Sequence, residues 1–314
     1  MISVKPLDVI ALDLGGTSIK GGLFRGTTPV EVWSWPTHRE RGVEFVVDNI
    51  VEIADSLRRM YPRVAAIGLV VPGIVNVEQG IGVYSENIGW RDIEFQSLIE
   101  KKTGLPVGFG HDVRAGGLAE FDLGVARGVQ NFFFMPIGTG IAGAMYVEGK
   151  LLEDPYVGEI GHLNVGSGRE CVCGGNGCLE SVSTGPSLAR SYKEATGTEI
   201  SGGQELVALV NQGDLFARKI WQASTIAIAH ALAAYVTLLA PELIVIGGGL
   251  SLAGSLLLDP VHRVLADSLP FQRKPELKSS QFGDRGPCYG AAILAQRRLA
   301  RSSIDRAQID IQSL

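Results

Sequence analysis

The chain has 314 residues, more than one small core usually organises, so two globular lobes are expected. Hydrophobic residues make up 46% of it and charged ones 19%, a balance that excludes wholesale disorder. Twenty-eight Lys and Arg against 33 Asp and Glu leave a net charge of -5, so no broad basic surface is on offer for nucleic acid or anionic lipid.

Before Asp13 no apolar stretch is long enough for a signal peptide, so export is not expected and the cytoplasm is the expected compartment. VIALDLGGTSIKGGLF reads as a strand, a Gly-Gly-Thr turn and a strand. Val43 to Tyr61 has helical apolar spacing and stops at Pro62, after which VAAIGLVVPG reads as a buried strand ending in a Pro-Gly turn at Gly73. Gln96 to Thr103 predicts a helix closed by Gly104, and LPVGFGHDV a strand carrying His111 and Asp112 to its end. Arg114 to Leu123 suits a helix, and FFFMPIGTGIAGAMYVEGKLL repeats the opening theme of strand, glycine turn and strand. A loop rich in Gly and Cys from Gly158 to Glu180 leads to helices near Leu188 and Leu206 and a long one from Asp214 to Ala240. Within that helix Gln222, Ser224, Thr225 and His230 argue for burial in a core over a bilayer span. LIVIGGGLS gives a second buried strand with a glycine turn, and YGAAILAQRRLA a closing helix. The expected class is α/β with two lobes: residues 1–112 completed by a helix over 290–314, and a larger lobe over 113–289.

Four constellations carry chemistry. Gly15, Gly16 and Thr17 would let main-chain N–H groups approach a phosphate, with Lys20 as a further donor and Asp13 facing a hydrated Mg²⁺, although an ordinary hairpin turn has the same letters. Gly138 to Gly143, GTGIAG, matches a dinucleotide fingerprint, but that motif must open a helix, whereas AMYVEGK reads as a strand into a turn. A second phosphate-binding hairpin built on Gly138, Thr139 and Gly140 is therefore favoured. Cys171, Cys173 and Cys178 with His162 form a tetrahedral Zn²⁺ set without an open position, the alternatives being free thiols or a disulfide. His111 and Asp112 end a buried strand, where a carboxylate can project into a cleft or simply cap the next helix. Cys288 reads as a small buried hydrophobe.

Together these segments resemble the ROK family, the sugar kinases and related repressors of the actin-like ATPase superfamily. DLGGTSIKGG is similar to its first phosphate motif, IGTGIAGAMY to its second, GEIGH to its sugar motif, CVCGGNGCLE to its zinc motif, and IGGGLS, with Gly247, Gly248 and Gly249, to its adenosine-side turn. The resemblance implies a two-lobed ribonuclease H-like fold with a nucleotide and sugar cleft between the lobes. It further implies phosphorylation of a hexose by ATP with Mg²⁺, Asp112 as catalytic base, and a structural Zn²⁺. Gly73, Asn87, His111, Asp112, Glu159, His162 and Glu180 become the sugar contacts. Glucose is the first expectation, with an amino sugar, N-acetylmannosamine or a sugar-like cyclitol as alternatives. Two departures loosen that choice: His111 stands where the family commonly has Asn, and Glu86 where related glucokinases often carry Pro. A homodimer or homotetramer is implied by resemblance alone. A zinc-containing dehydrogenase is the rival enzyme, and a sugar-responsive repressor the rival without activity; the repressors carry a DNA-binding segment ahead of the first motif, while twelve residues precede Asp13 here.

Overall fold

A computed structural model describes residues 7–312, with side chains described through Arg301. The first six residues, part of the stretch read for an export signal, and the last two of the expected closing helix lie outside the described residues. The chain forms two compact units, Met1–Ala119 with Arg285–Leu314, and Glu120–Asp284.

In the first unit β1 (Asp8–Leu14), β2 (Ser18–Arg25) and β3 (Thr28–Pro36) form an antiparallel meander. Helix α1 (Val43–Met60) comes next, burying Val46, Ile50, Ala54 and Leu57 on one face. Arg58 and Arg59 lie in its last turn, where cations suit the helix dipole. β4 (Val64–Val71) then runs parallel to β1. A small sheet of β5 (Ile74–Asn76), β6 (Ile81–Tyr84) and β7 (Arg91–Ile93) precedes α2 (Phe95–Thr103). β8 (Val107–His111) runs parallel to β4, completing the order β3-β2-β1-β4-β8. From Val9 to Leu14 every residue of β1 is buried, as expected of a strand covered on both faces.

Helix α3 (Asp112–Asp122) begins where β8 stops. Asp112 is thus the first residue of a helix and not the last of a strand: the Val113 N–H donates to its Oδ1 at 2.7 Å, a bond that satisfies an amide of the first turn.

The second unit repeats the plan. β9 (Phe132–Pro136), β10 (Ala144–Val147) and β11 (Lys150–Leu151) are antiparallel neighbours. The helices α4 (Glu180–Ser183), α5 (Gly185–Thr196), α6 (Gly203–Gln212) and α7 (Leu215–Leu239) come after them. β12 (Leu243–Gly247) runs parallel to β9, α8 covers Ser255–Asp267, and β13 (Glu276–Ser279) runs parallel to β12. The order β11-β10-β9-β12-β13 reproduces that of the first sheet, strand for strand. Helix α7 is long and apolar enough to cross a membrane, but Trp221, Ile228, Leu232 and Val236 on it belong to the core of this unit.

Several elements escape the sequence patterns: β3, the small sheet, β13 and α8. Pro260 sits inside α8 and denies the Leu256 carbonyl its helical donor; the Trp221 indole N–H supplies the missing bond at 3.0 Å. Glu120, fully buried, also has no local signature. Its carboxylate accepts from Ser280 Oγ at 2.6 Å, Gln281 N–H at 2.9 Å and Val125 N–H at 3.0 Å, so the buried charge is well satisfied.

Helix α9 (Gly286–Gln312) returns to the first unit and covers its sheet. Contact is close because Gly68 of β4 lacks a side chain: a Cβ there would stand 1.9 Å from the Ala291 carbonyl oxygen. Replacing Gly68 by Ala should therefore cost about 1–3 kcal/mol of stability, visible as a lowered denaturant midpoint; an unchanged midpoint would contradict this packing.

Candidate active site

Strands β1, β4 and β8 are parallel neighbours, so the turns and side chains just past their carboxyl ends gather on one edge of the first sheet. These are the Gly15-Gly16-Thr17 turn, Gly73 and Asp112. Asp13 and Lys20 face each other across β1 and β2. The turn is braced by a residue that local pattern does not reveal: buried Thr37 donates its hydroxyl to the Gly15 carbonyl at 2.6 Å and its N–H to the Thr17 carbonyl at 3.0 Å.

Asn87 is held at the surface by its neighbours. Ile88 and Trp90 are buried, Trp90 edge-on against Phe95 at 5.0 Å, and the loop closes through Ser85 N–H to the Trp90 carbonyl at 3.2 Å. Gly73 lies directly against this loop, since a Cβ on it would come within 2.2 Å of the Tyr84 carbonyl oxygen. Glu86 is exposed and accepts from the Tyr84 hydroxyl. Beside the catalytic candidate, His111 Nδ1 stands 3.4 Å from Asp112 Oδ1.

In the second unit the GTGIAG turn joins β9 to β10, and no helix opens from it. A strand stands where the dinucleotide motif needs a helix, and the Glu148-Gly149 turn after it has positive φ at both residues, 52° and 73°. The IGGGLS turn lies against this loop: Ile137 N–H donates to the Gly247 carbonyl at 3.0 Å and Leu250 N–H to the Ile137 carbonyl at 3.1 Å. Gly248 makes the approach possible with φ of 73°, and a Cβ on it would lie 2.5 Å from the Ile137 carbonyl oxygen. Gly249 then opens a 3-10 turn over Gly249–Ala253.

Glu159 immediately precedes the 3-10 turn Ile160–His162. The ring of His162 faces two ways: Nδ1 is 3.8 Å from Cys171 Sγ, and Nε2 is 4.0 Å from Glu159 Oε2. Ligand atoms of His162, Cys171, Cys173 and Cys178 all lie within 4.8 Å of one another. Tetrahedral bonds of about 2.3 Å would separate two sulfurs by about 3.8 Å, and Cys173 and Cys178 Sγ stand 3.8 Å apart. At that separation the two sulfurs are not bonded, and Cys171, Cys173 and Cys178 are free thiols in this structure. Burial pushes the Cys178 thiol up to about 12, with the adjoining thiols adding, while the Gly175 N–H holds Cys173 below the usual thiol range. Burial opposes ionisation of the Cys178 thiol, and a bound cation would supply the compensating charge.

The model of the ROK family matches residues 9–298. The chain belongs to the ROK family. Among its relatives, the glucokinase of Halalkalibacterium halodurans is 32% identical over 279 residues, covering 81% of this chain and 84% of that one. A ROK hexokinase from Thermus thermophilus superposes with a TM-score of 0.78 at 32% identity, over 94% of this chain and all of that one. A ROK family glucokinase from Streptomyces griseus, solved with glucose and AMPPNP, gives 0.83 at 26% identity, over 92% and 99%. The fold is thus that of the actin-like ATPases, as the ROK motifs imply. Within it Gly248 combines a positive φ with close backbone contact, and Gly248→Ala should cost about 1–3 kcal/mol from φ strain and the clash with Ile137. Thermal unfolding would measure this, and a wild-type midpoint would contradict the geometry.

Proposed function

We propose that this chain transfers the terminal phosphoryl group of Mg·ATP to a hydroxyl of glucose, forming glucose 6-phosphate. The chain is an ATP-dependent hexose kinase; glucose is the proposed hexose. The observation that carries the reading is the repeated sheet, each copy with a glycine turn after its first strand, with Asp112 at the carboxyl edge of the first.

Phosphoryl transfer asks little covalent chemistry of a protein and much positioning. Main-chain N–H groups of Gly15, Gly16 and Thr17, with Lys20, would hold phosphate oxygens, as would those of Gly138, Thr139 and Gly140. Gly247, Gly248 and Gly249 would border the adenosine. Mg²⁺, its hydration shell held by Asp13, would neutralise charge on the phosphates. Asp112 would accept the proton of the attacking hydroxyl as its oxygen bonds to phosphorus and ADP leaves. Gly73, Asn87, His111, Glu159, His162 and Glu180 would orient the sugar.

Zn²⁺ is the proposed occupant of the four-residue cluster. With every position filled by protein it would act structurally, fixing which nitrogen of His162 faces the sugar. A homodimer or homotetramer in the cytoplasm is proposed on family resemblance. An amino sugar is the second reading, favoured by the exposed Glu86 carboxylate beside Asn87, which would pair with an ammonium more strongly than with a hydroxyl.

A coupled assay of ADP release across hexoses and amino sugars tests the substrate, and fastest turnover on an amino sugar would displace glucose. Asp112→Asn should lower kcat by about 10²–10⁴ while sugar affinity is largely kept; wild-type turnover in that variant would refute the role. Elemental analysis should find about one zinc per chain. Chelation should lower the thermal midpoint and raise the KM for sugar, and a metal-free protein of unchanged midpoint would refute a structural ion.

A further inference from the structure

The GTGIAG loop is suspended at both ends. Toward the adenosine-side turn it is tied by the Ile137 bonds to Gly247 and Leu250. Toward the metal and sugar segment it is tied by Gly185 N–H to the Gly138 carbonyl at 3.0 Å, Gly143 N–H to the Gly158 carbonyl at 2.7 Å, and Ile141 N–H to Glu180 Oε2 at 2.9 Å. Of these ties only the last uses a side chain. It falls on the residue just after the loop's tight turn, in which Gly138 N–H donates to the Gly140 carbonyl at 3.1 Å.

The carboxylate of Glu180 sits in a fitted slot. A Cβ on either Gly140 or Gly161 would come within 3.1 Å of its Oε2, and one on Gly161 within 2.2 Å of the Ile141 carbonyl oxygen. Ile141 is 3% exposed, so its N–H is satisfied by the carboxylate and not by bulk solvent, and loses a charged acceptor if Glu180 is shortened. Glu180 is itself fixed at the start of α4, where its carbonyl accepts from Ser187 Oγ at 2.5 Å and Thr184 Oγ1 at 3.2 Å. Cys178, two residues upstream, belongs to the metal cluster.

We infer that Glu180 is a positioning residue for the nucleotide as well as a sugar contact: through Oε2 it holds the amides of Thr139 and Gly140 in register for phosphate. Nucleotide affinity then depends on Glu180 even when no sugar is bound. The inference rests on the kinase reading given above, and deepens it by assigning one carboxylate to both substrates.

Equilibrium binding of Mg·AMPPNP to the sugar-free, full-length protein separates the two roles. Glu180→Ala should weaken binding by about tenfold or more, the range expected when a bond to a charged acceptor is lost. Glu180→Asp keeps the charge but withdraws it from Ile141, and should show a similar loss. Glu180→Gln still offers an oxygen to the Ile141 N–H and should restore most nucleotide affinity, while raising the KM for sugar because the carboxylate is gone. Circular dichroism on each variant establishes that it is folded, and Glu180→Asp carries the test if the Ala variant is not. If folded Glu180→Asp or Glu180→Ala binds AMPPNP as wild type does, the positioning role falls and the kinase reading stands. If the wild-type protein binds no AMPPNP, both fall.

Discussion

A glycine turn can offer its amides to a phosphate only if something else holds it still. Glycine loses more backbone freedom on ordering than any other residue, so a loop such as GTGIAG has no rigidity of its own. In this chain the rigidity is borrowed. Thr37 steadies the turn after β1 with two bonds, and in the second unit Gly247, Leu250, Gly185, Gly158 and Glu180 share the task. The anchors of the second loop come from segments assigned here to adenosine, to sugar and to metal. Within the second unit these proposed parts of the site are therefore neighbours in structure before they are partners in chemistry.

The duplicated sheet explains how so few residues suffice. In each unit an antiparallel meander leads into two parallel strands, and parallel strands end on the same edge. Gly73 and Gly248 occupy corresponding places, one after β4 and the other after β12. One faces the loop that presents Asn87, the other packs on the GTGIAG turn. A single backbone plan has thus been fitted with different neighbours at the same place, a polar loop in the first copy and a glycine turn in the second.

Much of this was legible from the sequence because it is written in local patterns. Buried strands announce themselves as unbroken apolar runs, glycine turns by their letters, and the cysteine and histidine set by its spacing; the strand after GTGIAG was enough to disfavour a dinucleotide site. What stayed hidden depends on distant partners. Pro260 argues locally against a helix, and only Trp221, 39 positions earlier, supplies the bond that lets α8 form. Thr37 and Glu120 are ordinary letters until the fold brings Gly15 to one and Ser280 to the other. The second bond of Glu180, to Ile141, is of the same kind.

Helix α9 has a consequence for biogenesis. The sheet of the first unit leaves the ribosome complete by residue 111, yet the helix that covers one of its faces is encoded after residue 285. Domains usually mature in the order of their synthesis, but here the continuous middle of the polypeptide can finish first while the earliest-made strands wait, one flank bare, for the tail. A truncation near residue 285 would therefore injure the beginning of the protein more than the portion next to the cut.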